Sequence, residues 1–209
     1  MYRMFVLLLL MSGCHGKFIK AAPYLNTAKL QVNFDSEARV ELGQTSGGGL
    51  LGAIVNTVQA VRSGDQTQRI RKAIQPQDLH DATYQGIVDG LQDGVPFAIT
   101  ESDPADVMVR VNIRRHGMFV QSLGSAGRFD FVAKLKIFDR ESKRIYSKRL
   151  RCSTGVGNPS MTAEILQVVN NVKQLKSMTD EEINQTFVDI ATFCGMRFAT
   201  KMKQHSREH

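Results

Sequence analysis

Residues 107–152 read VMVRVNIRRHGMFVQSLGSAGRFDFVAKLKIFDRESKRIYSKRLRC, and their alternation decides the fold. Val107, Val109, Val111 and Ile113 alternate with Met108, Arg110, Asn112 and Arg114. Phe129, Phe131, Ala133, Leu135 and Ile137 alternate with Asp130, Lys134 and Lys136. Tyr146, Leu150 and Cys152 alternate with Ser147, Arg149 and Arg151. A period of two sends one set to a packed face and the other to water, so the stretch predicts an antiparallel β-meander, turning at Asp139 to Lys143. The wet face is basic. With the strands in register, Arg110, Arg114, Lys134, Lys136, Arg149 and Arg151 form a stripe for an acidic partner; out of register they are a solvated sheet face. The connection 117–127 carries Met118 and Phe119 among glycines and serines. It reads equally as a partner-contacting loop or as an extension of the strands. Met118 and Phe119 therefore join the six basic residues as the candidate partner surface.

Working outward, Val95 to Thr100 predicts a short first strand of the meander, giving a region of about 95–152. Further upstream, Leu30, Val32, Phe34, Ala38, Val40 and Leu42 all fall on even positions, broken only by Ser36. That is a strand over about 28–42, either single and long or a hairpin looping at Asp35-Ser36-Glu37. Between these lie two helical stretches. Leu50 to Arg62 follows a Ser-Gly-Gly-Gly break and reads as a packed amphipathic helix or a membrane-contacting segment; it is too short to span a bilayer. Leu79, Ala82, Thr83, Gly86, Ile87, Gly90 and Leu91 follow helical spacing after Pro76, with the two glycines set to let this helix lie close to the sheet. Arg69, Arg71 and Lys72 precede it as a solvated basic face or an anion-contact patch.

Beyond the meander, Met161 to Lys176 predicts a helix. Thr179-Asp180-Glu181-Glu182 is a capping box that starts a last helix. Its apolar stripe is Ile183, Phe187, Ile190, Cys194 and Phe198. The tail, about 201–209, reads as frayed. The whole is α+β: a β-meander at about 95–152 plus an N-terminal strand at about 28–42 form an antiparallel sheet, with helices packed on one face.

The N-terminus has its own grammar. In MYRMFVLLLLMSGC, Arg3 precedes an apolar run, then Ser12 and Gly13, then Cys14. This is the layout of a secretory signal. It resembles the signal peptide of bacterial lipoproteins, in which small residues precede a cysteine that is lipidated and becomes the new N-terminus. The resemblance implies a signal peptide at 1–13, palmitate-type lipidation at Cys14, a tether at 14–27 and a single domain at 28–209. His15, rather than an aspartate, follows the cysteine, which by the same resemblance favours the periplasmic face of the outer membrane over the inner membrane. In such an oxidising compartment the remaining pair, Cys152 and Cys194, is a candidate disulfide, the alternative being two buried thiols.

The net charge of +7 then points toward envelope anions: an acidic protein partner, an anionic polymer or lipid. Export and the lack of a recognition motif turn it away from nucleic acid. No phosphate loop, dinucleotide fingerprint or nucleophile turn occurs, and the histidines at 15, 80, 116, 205 and 209 show no zinc-site pattern. The residues thus name no catalytic group, metal or cofactor. The architecture over about 28–200 is similar to that of the YajG lipoproteins, the penicillin-binding-protein activator lipoproteins and the periplasmic domain of curli-secretion lipoproteins. That resemblance implies a binding or scaffolding role on an envelope protein or assembly, with an accessory role in lipid or lipopolysaccharide handling as the alternative.

Overall fold

The computed structural model describes residues 15–42, 64–92, 97–120, 127–153 and 177–207. The chain runs α1 (His15–Ala21), a 3-10 turn (Ala22–Tyr24), β1 (Thr27–Leu42), α2 (64–73), α3 (Pro76–Leu91), β2 (Ala98–Ile99), β3 (Val107–Val120), β4 (Gly127–Asp139), β5 (Arg144–Ser153) and α4 (Asp180–Arg207). It is an α+β fold with helices packed against one sheet. The segments 50–62 and 161–176, read as helices from the sequence, lie outside the described residues.

The sheet order is β2-β1-β3-β4-β5. β3, β4 and β5 form the antiparallel meander. β1 joins it in parallel, next to β3, so the sheet is mixed. β2 is not a meander strand; it pairs in parallel with the start of β1 at the far edge. Of the two geometries open for 28–42, the single strand is the one present. Asp35 and Ser36 are extra residues between the pairs Phe34–Ile113 and Glu37–Arg115. Two extra residues preserve the period of two, which is why the even-numbered pattern continues through the irregularity. β3 takes up one extra residue, Arg114, at the same level, so its inward positions switch from odd, ending at Ile113, to even at His116 and Met118.

One layer of core lies between sheet and helices. Val109, Val111, Ile113, Phe131, Leu135 and Ile137 meet Ile183, Phe187, Ile190 and Cys194 of α4, all without exposed surface. Each such side chain stabilises by roughly 1.5–3 kcal/mol relative to exposure. The capping box is formed: the Thr179 N–H donates to Glu182 Oε2 at 2.7 Å and the Glu182 N–H to Thr179 Oγ1 at 3.2 Å. The glycines of α3 serve helix–helix contact with α4 rather than approach to the sheet. A Cβ on Gly90 would fall 2.6 Å from that of Ala199, and one on Gly195 2.6 Å from the Thr83 carbonyl oxygen. Only hydrogen fits at these points, so the two helices cross backbone to backbone.

Both ends of the domain are more ordered than their sequences suggest. Residues 15–27 are not a tether. Phe18 is fully buried, its ring 5.0 Å from that of Tyr146, and Ala22 and Leu25 are buried too. The tail is not frayed from 201: α4 continues to Arg207, with Met202 and His205 buried. The Tyr146 hydroxyl and His205 Nδ1 lie 2.8 Å apart, fastening that end to β5. Cys152 and Cys194 are joined as a disulfide between β5 and α4, Cα atoms 5.7 Å apart.

Candidate functional site

The described helices cover one face of the sheet, and the other carries the polar set. Register brings the predicted cations together. Arg110 on β3 stands opposite Lys136 on β4, and Lys134 stands opposite Arg149 on β5. A face that needs only solvation gains by placing opposite charges across strands; like charges directly opposite destabilise by a few tenths to about 1 kcal/mol each. Here like meets like twice. Arg110 is held in place by Gln31, whose Oε1 accepts from its Nε at 3.2 Å, and lies over the Phe138 ring at 5.4 Å.

Towards the end of the sheet where β1 and β3 are irregular, the cations become arginines. The extra residue in β3 places both Arg114 and Arg115 away from the core. Successive strands then present Glu37, Arg115, Val132 and Arg151 at one level, and Arg39, Gly117, Asp130 and Ser153 at the next. Asp130 is buried although it lies on the face that none of the described helices covers. Arg151 forms a salt bridge to Asp130 Oδ2, and Arg128 Nε lies 3.6 Å from Oδ1. Arg39, Arg115, Gly117 and Met118 complete the walls of a small cavity beside that carboxylate. Gly117 is required: a Cβ there would overlap the Arg39 backbone. Next to the cluster an open groove of about 440 Å³ is lined by Phe34, Asp35, Ser36, Arg39 and Arg114. Its two arginines, Arg39 and Arg114, face one lining carboxylate, Asp35, and guanidinium is the side chain suited to bidentate contact with carboxylate or phosphate.

Two of the predicted surface residues fare differently. Met118 is not on the surface: the switch of phase in β3 sends it inward, where it is buried in the core. Phe119 is in β3, opposite Arg128, so 117–120 extend the strand; the connection 121–126 lies outside the described residues. Arg39, Arg115 and Arg128 are the members of the cluster that the alternation does not single out, and Asp130, on the wet phase, is not among the predicted surface residues. The sequence signal for Arg115 is the move of the apolar phase in this strand from odd at Ile113 to even at Met118.

Beneath the irregular strands sits His116. Its Nδ1 is 2.5 Å from Ser36 Oγ, and its ring lies 5.6 Å from Phe34 and 5.7 Å from Phe187. Burial, and secondarily the positive charge of Arg71, push its pKa down to about 4, so the ring is neutral near pH 7. Arg69, read as part of a possible anion patch, instead bonds the Met178 carbonyl and lies 3.6 Å from Asp180 Oδ1. A second cleft, near α3, is lined by Lys29, Leu30, His80, Asp81, Tyr84, Thr100 and Glu101. His80 there is bonded to its neighbour Asp81 at 2.7 Å, which with Gln77 lowers the Asp81 pKa. Among the described residues no group of three His, Cys, Asp or Glu side chains is placed to hold a metal, and no helix is long and apolar enough to cross a membrane.

No family model and no curated protein matches the chain. Several solved structures superpose on it in part. A Xanthomonas campestris protein superposes with a TM-score of 0.46 at 10% identity, over 88% of this chain and 86% of that one. A hypothetical protein from Chlamydia trachomatis gives 0.39 at 9% identity, over 85% and 98%. A lipoprotein from Neisseria meningitidis gives 0.25 at 11% identity, over 77% and 96%. Likenesses this distant assign no function.

Proposed function

We propose that this chain is a lipid-anchored lipoprotein of the bacterial envelope, held at the periplasmic face of the outer membrane through Cys14, and that it binds an acidic surface of another envelope protein or assembly. Binding, not catalysis, is its role. The anchor rests on the MSGC ending of the N-terminal signal, and a disulfide between Cys152 and Cys194 fits an oxidising compartment. The observation that carries the binding role is the pairing of like charges, Arg110 with Lys136 and Lys134 with Arg149, continuing into the arginine cluster around Asp130. That arrangement costs stability in the isolated domain and is repaid when a partner supplies carboxylates or phosphates.

Crosslinking in intact cells tests this reading, comparing the natural chain with a variant carrying Lys134→Glu and Arg149→Glu. A specific protein adduct that disappears in the variant, with membrane attachment unchanged, supports it. Co-purified glycolipid in place of a protein adduct supports the lipid-handling alternative. Identical adducts from both chains contradict the assignment of the face.

A further inference from the structure

We propose that the end of the domain built by α1, Tyr24 and the β4–β5 turn is a membrane-contact surface for anionic lipid headgroups, leaving the arginine cluster at the opposite end, away from the bilayer. This rests on the reading that Cys14 carries the lipid.

The first ground is the absence of slack. Cys14 is bonded to the first residue of α1, and consecutive Cα atoms are about 3.8 Å apart. Three residues further on, Phe18 is locked into the core against Tyr146. The other end of α1 is equally fixed, because the N–H groups of Asn26 and Thr27 donate to Asp106 Oδ2 at 2.8 and 2.9 Å. Arg140 pairs with the other oxygen of that carboxylate at 2.5 Å. A seven-residue helix is only about 10 Å long. A lipid on Cys14 therefore brings this corner of the domain down to the headgroups.

The second ground is the chemistry of that corner. Tyr24 is 80% exposed, an aromatic side chain of the kind that favours membrane interfaces. Lys17 and Lys20 are exposed on α1. Lys143, just before β5, and Arg144, its first residue, are exposed, Arg144 lying two strand residues, or roughly 7 Å, from Tyr146. Glu141 and Asp139, in the same turn, and Asp103, in the loop before β3, are opposing charges at this end, Asp103 being paired with Lys29. Cations beside a lipid anchor are attracted to anionic headgroups and supply the second signal that steadies attachment.

The third ground is distance. The arginine level of β4 is at Asp130 and the turn is at Asp139, so nine residues of strand separate them, about 30 Å. A protein sitting on its α1 end presents the cluster to a partner rather than to its own bilayer.

The chain contains no tryptophan, so a single introduced one is a clean probe. The lipidated Tyr24→Trp protein is reconstituted into vesicles of phosphatidylglycerol and phosphatidylethanolamine containing brominated lipid. Phe34→Trp, at the distal end, serves as control. The expected result is strong quenching for Tyr24→Trp and none for Phe34→Trp, with quenching reduced severalfold when Lys17→Glu and Lys20→Glu are added. Equal or absent quenching at Tyr24→Trp, in protein shown by mass to carry acyl chains, overturns the orientation alone. Protein without acyl chains that fails to float with vesicles overturns the anchor reading, and this inference with it.

Discussion

Gly117 on β3 stands directly opposite Asp130 on β4, and on its other side it stands opposite Arg39 on β1. A residue with a side chain at 117 would overlap the Arg39 backbone, so the glycine is what lets β1 and β3 lie side by side at the level of Asp130, where Arg151 and Arg128 meet its carboxylate. Asp130 is thus the structural centre of the basic face. Asp130→Asn is expected to lower stability by about 1–3 kcal/mol, because the arginines around it lose their charged partner. Arg151→Gln is expected to cost less, since Arg128 still adjoins the carboxylate and the Arg151 side chain is 44% exposed. Urea unfolding of the two variants checks the order.

The buried histidine predicts an acid response. His116 has a folded-state pKa of about 4, below the ordinary 6.5, so the unfolded chain takes up the proton first. Stability is lost as pH falls below about 6.5, and this loss levels off beneath about 4. The full difference corresponds to about 3 kcal/mol. His116→Phe should flatten the pH dependence of the unfolding midpoint across this window, whatever its effect at pH 7.

The crossing of α3 and α4 predicts an unusual sign. Gly→Ala inside a helix normally gains up to about 1 kcal/mol from propensity. At Gly86 and Gly195 an added Cβ meets backbone of the facing helix, which cannot rotate away. Either alanine variant is expected to lose about 1–3 kcal/mol net, measurable as a lower thermal midpoint. Gly64, where a Cβ meets nothing, is the control and should show no such loss.

These cases also show what the sequence made readable. Alternation was enough for the meander and for the inward stripe of α4, because one face of each is packed and the other wet. Thr179 and Glu182 marked the helix start for the same reason: the chemistry is local. What stayed hidden depends on partners remote in the chain. Nothing in 28–42 says that it runs parallel to β3, since both faces look the same in either direction. The glycines of α3 signalled close approach, but whether to sheet or helix depended on where α4 lies. Phe18 is an apolar residue in a stretch without hydrophobic period, and its packing on Tyr146 is what makes it core. Met118 faces the core because one extra residue, Arg114, reverses every later position in the strand, which alternation alone does not reveal.

Phe18 supplies a direct check on the anchored end. Phe18→Ala is expected to destabilise the domain by about 3–5 kcal/mol, the range for removing a fully buried aromatic ring. A segment that merely tethers would show no change. Replacing both Cys152 and Cys194 by alanine should cost about 2–4 kcal/mol through the freed loop of the unfolded chain. The same loss should follow treatment of the natural protein with reductant, and not of the variant.

The account stands on the lipid at Cys14, and Cys14→Ser with palmitate labelling and membrane fractionation tests it most directly. The natural chain should take the label and sediment with the outer membrane, and the variant should lose the label and leave that fraction. A variant that remains labelled and membrane-bound would contradict the lipoprotein reading.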